Sequence, residues 1–276
     1  MLKASAPGKI ILSGEHAVVY GFPGIAVPYP LRTTVTWEPD SKGHVLHIQC
    51  EGCTDASDAY IRKIIDACEE FTSPIAGTLH IENDIPIGRG MGSSTALVVA
   101  ICRCVFHDDA QDQALEVENQ VNPGHSGIDF TTIWSEKPVL FRKGQTPKGI
   151  ELPADILQNA MLIDTGKPNE TTAELVAWVH TRSEDPEIKE ALATIGTCTD
   201  RLQSGEDLSA ILPDHHRAQV ALGVVTPAAQ ALIAEIEQAG GAGKVLGAGA
   251  QAGGGGMVLA LHRDKNVIQT IAAKFA

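Results

Sequence analysis

IPIGRGMGSSTALVVA, residues 85–100, is the stretch from which the fold is read. Gly88, Gly90 and Gly92, then Ser93 and Ser94, stand directly before a long apolar run. Glycine lets a backbone take turns closed to other residues and approach a ligand closely. The N-terminus of a following helix adds unpaired N–H groups and a positive partial charge. With the hydroxyls of Ser93, Ser94 and Thr95, these features can cradle a phosphate or reach a metal ion. A tight turn with a serine N-cap fits the same letters. No GxxxxGK[ST] occurs anywhere in the chain, so the loop is not a Walker P-loop. The run behind it, SSTALVVAICRCVF, is apolar nearly all round, as a buried helix is.

The rest of the chain sets bounds on that loop. At 276 residues it can hold one large domain or two ordinary ones. A net charge of −13 disfavours nucleic-acid binding, which needs clustered Lys and Arg, but leaves room for a small anionic ligand. No apolar run approaches the roughly 20 residues of a membrane span. Glu15 and His16 interrupt the N-terminal apolar stretch, which lacks the layout of a signal peptide. The chain therefore reads as cytoplasmic, with six cysteines as reduced, mostly buried thiols.

Alternating, β-branched runs (KIIL, RTTVTWE, HVLHIQC, GTLHIEN) mark strands in the first half, with helical patterns in DAYIRKIIDACEEF and QALEVENQV. KPVLFRK and AMLID read as further strands. Beyond about residue 155 four helical patterns follow in succession, then two short strands and a last helix. We expect an α+β protein: a strand-rich N-terminal domain over 1–150 and a helix-rich C-terminal domain with a small sheet over 151–276, with a linker near 143–153.

Other stretches carry candidate chemistry. NPGHSGIDF, 122–130, offers Asp129 in a turn broken by Gly and Pro, and Glu118 sits on the preceding helix; each acid alone also fits a cap or an ion pair. The GHSG within it is not a nucleophile elbow, because Ile128 breaks GxSxG and no strand leads into Ser126. APGKIILSGEHAVVYG joins Lys9, at the opening of a strand, to Ser13, Glu15 and His16. GAGAQA, 247–252, fits a dinucleotide fingerprint, but too little chain follows for a βαβ unit. His44, His47, Cys50 and Cys53 have zinc-like spacings, yet residues three apart on a strand face opposite ways. His215 and His216 read as packing or surface residues of a helix.

Three of these stretches, in this order, resemble the GHMP kinases: APGKIILSGEHAVVYG, PIGRGMGSSTA and GKVLGAGAQAGGGGMV. The first, with IDTGKPNETTAELVAWV and LGVVTPAAQALI, is most similar to the mevalonate kinase branch, and the likeness runs from residue 4 to about 261. It implies the two-domain GHMP fold, with ATP and substrate meeting between domains, and transfer of the γ-phosphoryl group to the primary 5-hydroxyl of mevalonate. The phosphate loop would comprise Gly88, Gly90, Met91, Gly92, Ser93, Ser94 and Thr95, with Ser93 or Ser94 and Glu118 holding Mg2+. Asp129 would accept the hydroxyl proton, and Lys9 would keep Asp129 ionised and stabilise the transferring group. Glu15, His16 and Thr171 match positions linked to mevalonate recognition, and Arg142 is offered as a partner for the substrate carboxylate. A homodimer is implied too.

The sequence also departs from the family. Around Asp129 the usual HGxPSGxDN has Asn122, His125 and Phe130 in place of His, Pro and Asn. Leu246 replaces a hydroxyl before the third glycine run, which AQA splits, and Asn169 stands where a basic residue is usual. Two alternatives therefore remain: a GHMP kinase for a related hydroxy acid or phosphorylated alcohol, and a catalytically silent nucleotide-binding protein.

Overall fold

The computed structural model describes residues 1–40, 43–51 and 55–275. In chain order its elements are β1 (Leu2–Ser13), a 3-10 turn (Ala17–Tyr20), β2 (Gly24–Pro39), β3 (Leu46–Cys50), α1 (Asp55–Glu69), β4 (Gly77–Asn83), α2 (Ser93–Phe106), α3 (Gln111–Val121) and α4 (Ile128–Ser135). There follow β5 (Val139–Phe141), β6 (Lys148–Gly149), β7 (Ala160–Asp164), α5 (Thr172–Thr181), α6 (Pro186–Gln203), α7 (Leu208–Ala221), α8 (Pro227–Gln238), β8 (Ala242–Val245), β9 (Met257–Leu261) and α9 (Lys265–Ala272). The mixed, α+β character expected from the sequence is found. Among the described residues no helix is long and apolar enough to cross a membrane.

The chain forms two compact units. The first comprises 1–9, 28–87 and 92–136; the second comprises 10–27, 88–91 and 137–276. In the first, Thr33–Pro39 of β2 runs antiparallel to Gly77–Asn83 of β4, and β3 lies parallel to β4. A parallel neighbour needs a crossover, and α1 supplies it. Alternation decides what β3 hides: Leu46, Ile48 and Cys50 are half-buried while His47 and Gln49 are exposed. Ile61, Ile64 and Cys68 of α1, Leu79 of β4 and Val98, Ile101 and Cys102 of α2 are buried as the core. As its unbroken apolar pattern predicts, α2 buries most of its surface.

In the second unit, β7, β9 and β8 form an antiparallel sheet. Ile163, Val245 and Val258 of that sheet pack with Leu232 and Ile233 of α8 and Ile268 of α9. A second cluster joins Leu175 and Val179 of α5 to Ile188, Leu192 and Ile195 of α6 and Ala218 of α7. Caps account for where these helices begin: Thr171 and Glu174 form a capping box for α5, and Thr226 followed by Pro227 starts α8.

Three local readings change. Asp129, expected in a broken turn over 122–130, lies instead in the first turn of α4, for which Gly127 takes a left-handed φ of 95° as N-cap. Lys9 lies within β1, which starts seven residues earlier at Leu2. Cys50 is disulfide-bonded, whereas Cys68, Cys102, Cys104 and Cys198 are free and buried as expected.

Candidate active site

The first unit holds the proposed acid–base pair. Lys9 is 2% exposed, and its Nζ lies 3.2 Å from Asp129 Oδ1. Burying an ammonium is tolerable only beside compensating charge. The side chain of Asp129 remains 32% exposed, so the pair is enclosed on the lysine's side and open on the aspartate's. Its place in the first turn of α4 adds the positive end of a helix dipole. Gly92, with φ 76°, caps α2; a Cβ there would lie 3.0 Å from both Lys9 Cγ and Ile133 Cδ1. Only a residue without a side chain lets the lysine stem pass so close to the start of α2.

Beside this pair lies a carboxylate short of partners. Glu118 of α3 is 1% exposed and accepts a 2.8 Å hydrogen bond at Oε1 from Thr95 Oγ1. Its Oε2 has no hydrogen-bond partner. Burial above all, with a contribution from the Asp129 charge, lifts its pKa from 4.5 to about 7 against the lowering pull of the neighbouring Thr95 hydroxyl and Asn122 amide. Such an oxygen suits a hard divalent cation, so the residues present fit Mg2+. No group of three or more His, Cys, Asp or Glu side chains that could hold a metal occurs among the described residues. Glu118 would then supply a carboxylate ligand, with hydroxyl and phosphate oxygens completing the set. Ser93 opens α2 half-buried, and Ser94 is exposed. Tyr60 donates to Asn122 Oδ1 at 3.0 Å, which ties the end of α3 to α1.

In the second unit, the loop at 88–91 packs on the glycine-rich run near the C-terminus. A Cβ on Gly90 (φ 81°) would lie 2.5 Å from the Leu246 carbonyl oxygen, and one on Gly247 would lie 2.7 Å from Gly90 Cα. The two backbones touch because neither residue has a side chain. Met257 N–H donates to the Arg89 carbonyl at 3.2 Å, and Arg89 Nε binds Asp164 Oδ1 at 2.7 Å. Lys167 lays its stem over Gly88, and Met91 is buried.

Glu15 and His16 of the same unit are also buried, at 2% and 5% exposed. Glu15 pairs with Lys244 through Oε1, and its Oε2 lies 3.2 Å from His215 Nε2. Burial by itself would raise the Glu15 pKa, but Lys244 and His215 outweigh it and bring it down to about 2. His16 Nε2 lies 2.9 Å from the Ala248 carbonyl oxygen, and burial lowers its pKa. Thr171 shares hydrogen bonds with Glu174 at the start of α5, and Arg142 donates to the Gly21 carbonyl at 3.0 Å.

Lys244 and His215 were not singled out as site residues from the sequence. The available signal was a lysine inside the short apolar strand AGKV, every residue of which is buried. His216 beside it is also buried, and burial lowers its pKa to about 4. Of the zinc-like set, His44 and His47 are exposed and Cys50 is in a disulfide, while Cys53 lies outside the described residues.

Comparisons with known proteins agree with this geometry. Residues 59–134 match the GHMP kinases N terminal domain. Over 281 residues the chain is 31% identical to a mevalonate kinase of Archaeoglobus fulgidus, across 95% of this chain and 93% of the other. The mevalonate kinase of Methanococcus jannaschii shares the fold, with a TM-score of 0.79 at 19% identity over 99% of this chain and 93% of that one. A mevalonate kinase from methicillin-resistant Staphylococcus aureus is 28% identical with a TM-score of 0.69, over 99% and 95%. By its identity across nearly its whole length, the chain belongs to the mevalonate kinases of the GHMP kinase family.

Proposed function

We propose that the protein transfers the γ-phosphoryl group of ATP to the 5-hydroxyl of mevalonate in a magnesium-dependent reaction, releasing ADP. The observation that carries this reading is the buried Lys9 held 3.2 Å from a half-open Asp129 beside the unpartnered Glu118 oxygen. Asp129 accepts the proton of the 5-hydroxyl as its oxygen becomes the nucleophile. Lys9, fixed by burial, keeps a positive charge beside the forming alkoxide and the transferring group. The backbone of Gly88, Gly90, Met91 and Gly92 and the start of α2, with Ser93, Ser94 and Thr95, hold the triphosphate by N–H and hydroxyl donors. Glu118 Oε2, with Ser93 or Ser94, holds Mg2+, which when bound neutralises phosphate charge. Glu15, His16 and Thr171 serve recognition of the alcohol substrate, and Arg142 serves its carboxylate. The resemblance extends this reading to a cytoplasmic homodimer, for which sedimentation velocity is the check.

The test is ADP release by purified protein with magnesium and ATP, with and without mevalonate, and the product's mass. Mevalonate-dependent ADP with a phosphorylated product is the expected result. Transfer to a different hydroxy acid or phosphorylated alcohol in a substrate panel would reassign the substrate. Nucleotide binding with no transfer to any alcohol would make the protein a silent binder and refute the reading.

A further inference from the structure

Two lysines are buried among the described residues, Lys9 and Lys244. The first has a part in the reaction proposed above; the second, 0% exposed on β8, has none. A buried ammonium persists only where charge and hydrogen bonds replace its water. Lys244 donates to the Ile11 carbonyl at 3.0 Å and pairs with Glu15 Oε1. With His215 of α7 at the other oxygen, both oxygens of the Glu15 carboxylate face protein.

What the carboxylate anchors is a turn. Gly14 has φ 118° and His16 has φ 62°, a conformation uncommon for a residue with a side chain. The Gly14 carbonyl accepts Val18 N–H at 3.0 Å and the Glu15 carbonyl accepts Ala17 N–H at 2.7 Å. Such backbone persists where its surroundings over-determine it. Glu15, fixed from two sides, is the middle residue of the turn. The Ala248 carbonyl, 2.9 Å from His16 Nε2, can only accept, so Nε2 carries the ring proton. With the ring neutral, Nδ1 is its acceptor.

We propose that Lys244 is a positioning residue: with His215 it anchors Glu15, so that the 14–16 turn offers His16, with Nδ1 as acceptor, to a hydroxyl of the alcohol substrate. Glu15 then acts through the turn and does not touch the substrate. The part concerning substrate rests on the mevalonate kinase reading; the positioning does not.

Two variants test this: Lys244→Met, and Glu15→Gln with Lys244→Met. The single change strands a buried carboxylate and is expected to lower Tm; the neutral pair is expected to regain most of that loss. Imidazole 15N spectra without substrate, assigned with His16→Gln, should show wild-type His16 as the pure Nε2–H tautomer and the double variant as a mixture. The KM for mevalonate should rise about tenfold in the double variant, with the KM for ATP within about twofold. A double variant that regains Tm while keeping wild-type His16 resonances and mevalonate KM overturns the proposal. So does a shift in those resonances with KM unchanged, or a wild-type His16 in the Nδ1–H tautomer. Should the wild type phosphorylate no mevalonate, the substrate reading fails, and the His16 resonances still decide the positioning.

Discussion

Glu118→Gln should make the metal-free protein gain stability over the wild type as pH rises. The carboxylate is 1% exposed, keeps one hydrogen bond from Thr95 and leaves Oε2 without a partner. Its pKa is raised from 4.5 to about 7, mainly by burial. Between those values the native state binds more protons than the unfolded chain, so stability falls with pH. The contribution is fully present below 4.5 and is lost as pH rises through about 7. Each tenfold in proton affinity is worth about 1.4 kcal/mol, so the whole loss is on the order of 3 kcal/mol. About 2.5 kcal/mol of it falls between about pH 5 and about pH 8. Glutamine has the same shape and still accepts from Thr95, but it does not titrate. Urea unfolding of both proteins at the two pH values, with divalent metal chelated, gives the wild-type-minus-variant difference at each. That difference should change by about 2.5 kcal/mol, the variant becoming relatively more stable at the higher pH. A change below about 0.5 kcal/mol would refute the account, because the buried oxygen would then have a partner or water that the structure does not give it.

Asp129→Asn should cut turnover by about 10³-fold with nucleotide binding near wild type, as measured by steady-state ADP release, while thermal melts show a lower Tm because the buried Lys9 ammonium loses its charge partner. Lys9→Met should lower kcat by about 10²- to 10³-fold, read in the same assay, since the positive charge beside the forming alkoxide is gone. Thr95→Val removes the 2.8 Å hydrogen bond to Glu118 and should raise the magnesium concentration for half-maximal rate about tenfold. Gly90→Ala places a Cβ 2.5 Å from the Leu246 carbonyl at a φ of 81°, so a loss of about 3 kcal/mol in urea unfolding is expected, with a raised KM for ATP.

Elements with strong periodicity were legible because burial in them follows spacing alone. The helices α1, α5 and α8 and the strands β4, β7 and β9 all fall where apolar residues recur at the right interval. The start of α4 was not, because NPGHSG carries every mark of a turn, and the helix begins only where Gly127 supplies a left-handed cap. The residues of the first unit's site could be found singly, since Lys9, Gly92, Thr95, Glu118 and Asp129 each lie in a motif. Their pairing follows from no spacing, because two acids lie within reach of one lysine in sequence terms; the resemblance alone set Lys9 beside Asp129, and the structure has the two 3.2 Å apart. The structure gives Asp129 to Lys9 and leaves Glu118 with Thr95, the division that the proposed roles of base and metal ligand require.

The Glu15–Lys244 contact shows why sequence reading stops where it does. The partners are 229 residues apart, and neither letter alone announces burial. A glutamate before a histidine reads as a surface pair or, by resemblance, as a ligand contact; a lysine among glycines reads as a solvated strand end. Each looks affordable only because the other is unseen, since either charge alone at full burial would be strongly destabilising. The physical clue was local: β8 has four residues, all buried, flanked by glycine turns that leave a lysine stem little room to reach solvent. A charge in such a strand requires an opposite charge somewhere in the fold. Among the acids beside glycine in this chain, Glu15 is held in a turn whose φ angles at Gly14 and His16 already demand outside support. Burial, strain and ion pairing therefore explain one another at this point, and removing both charges should free the turn even where it spares the fold.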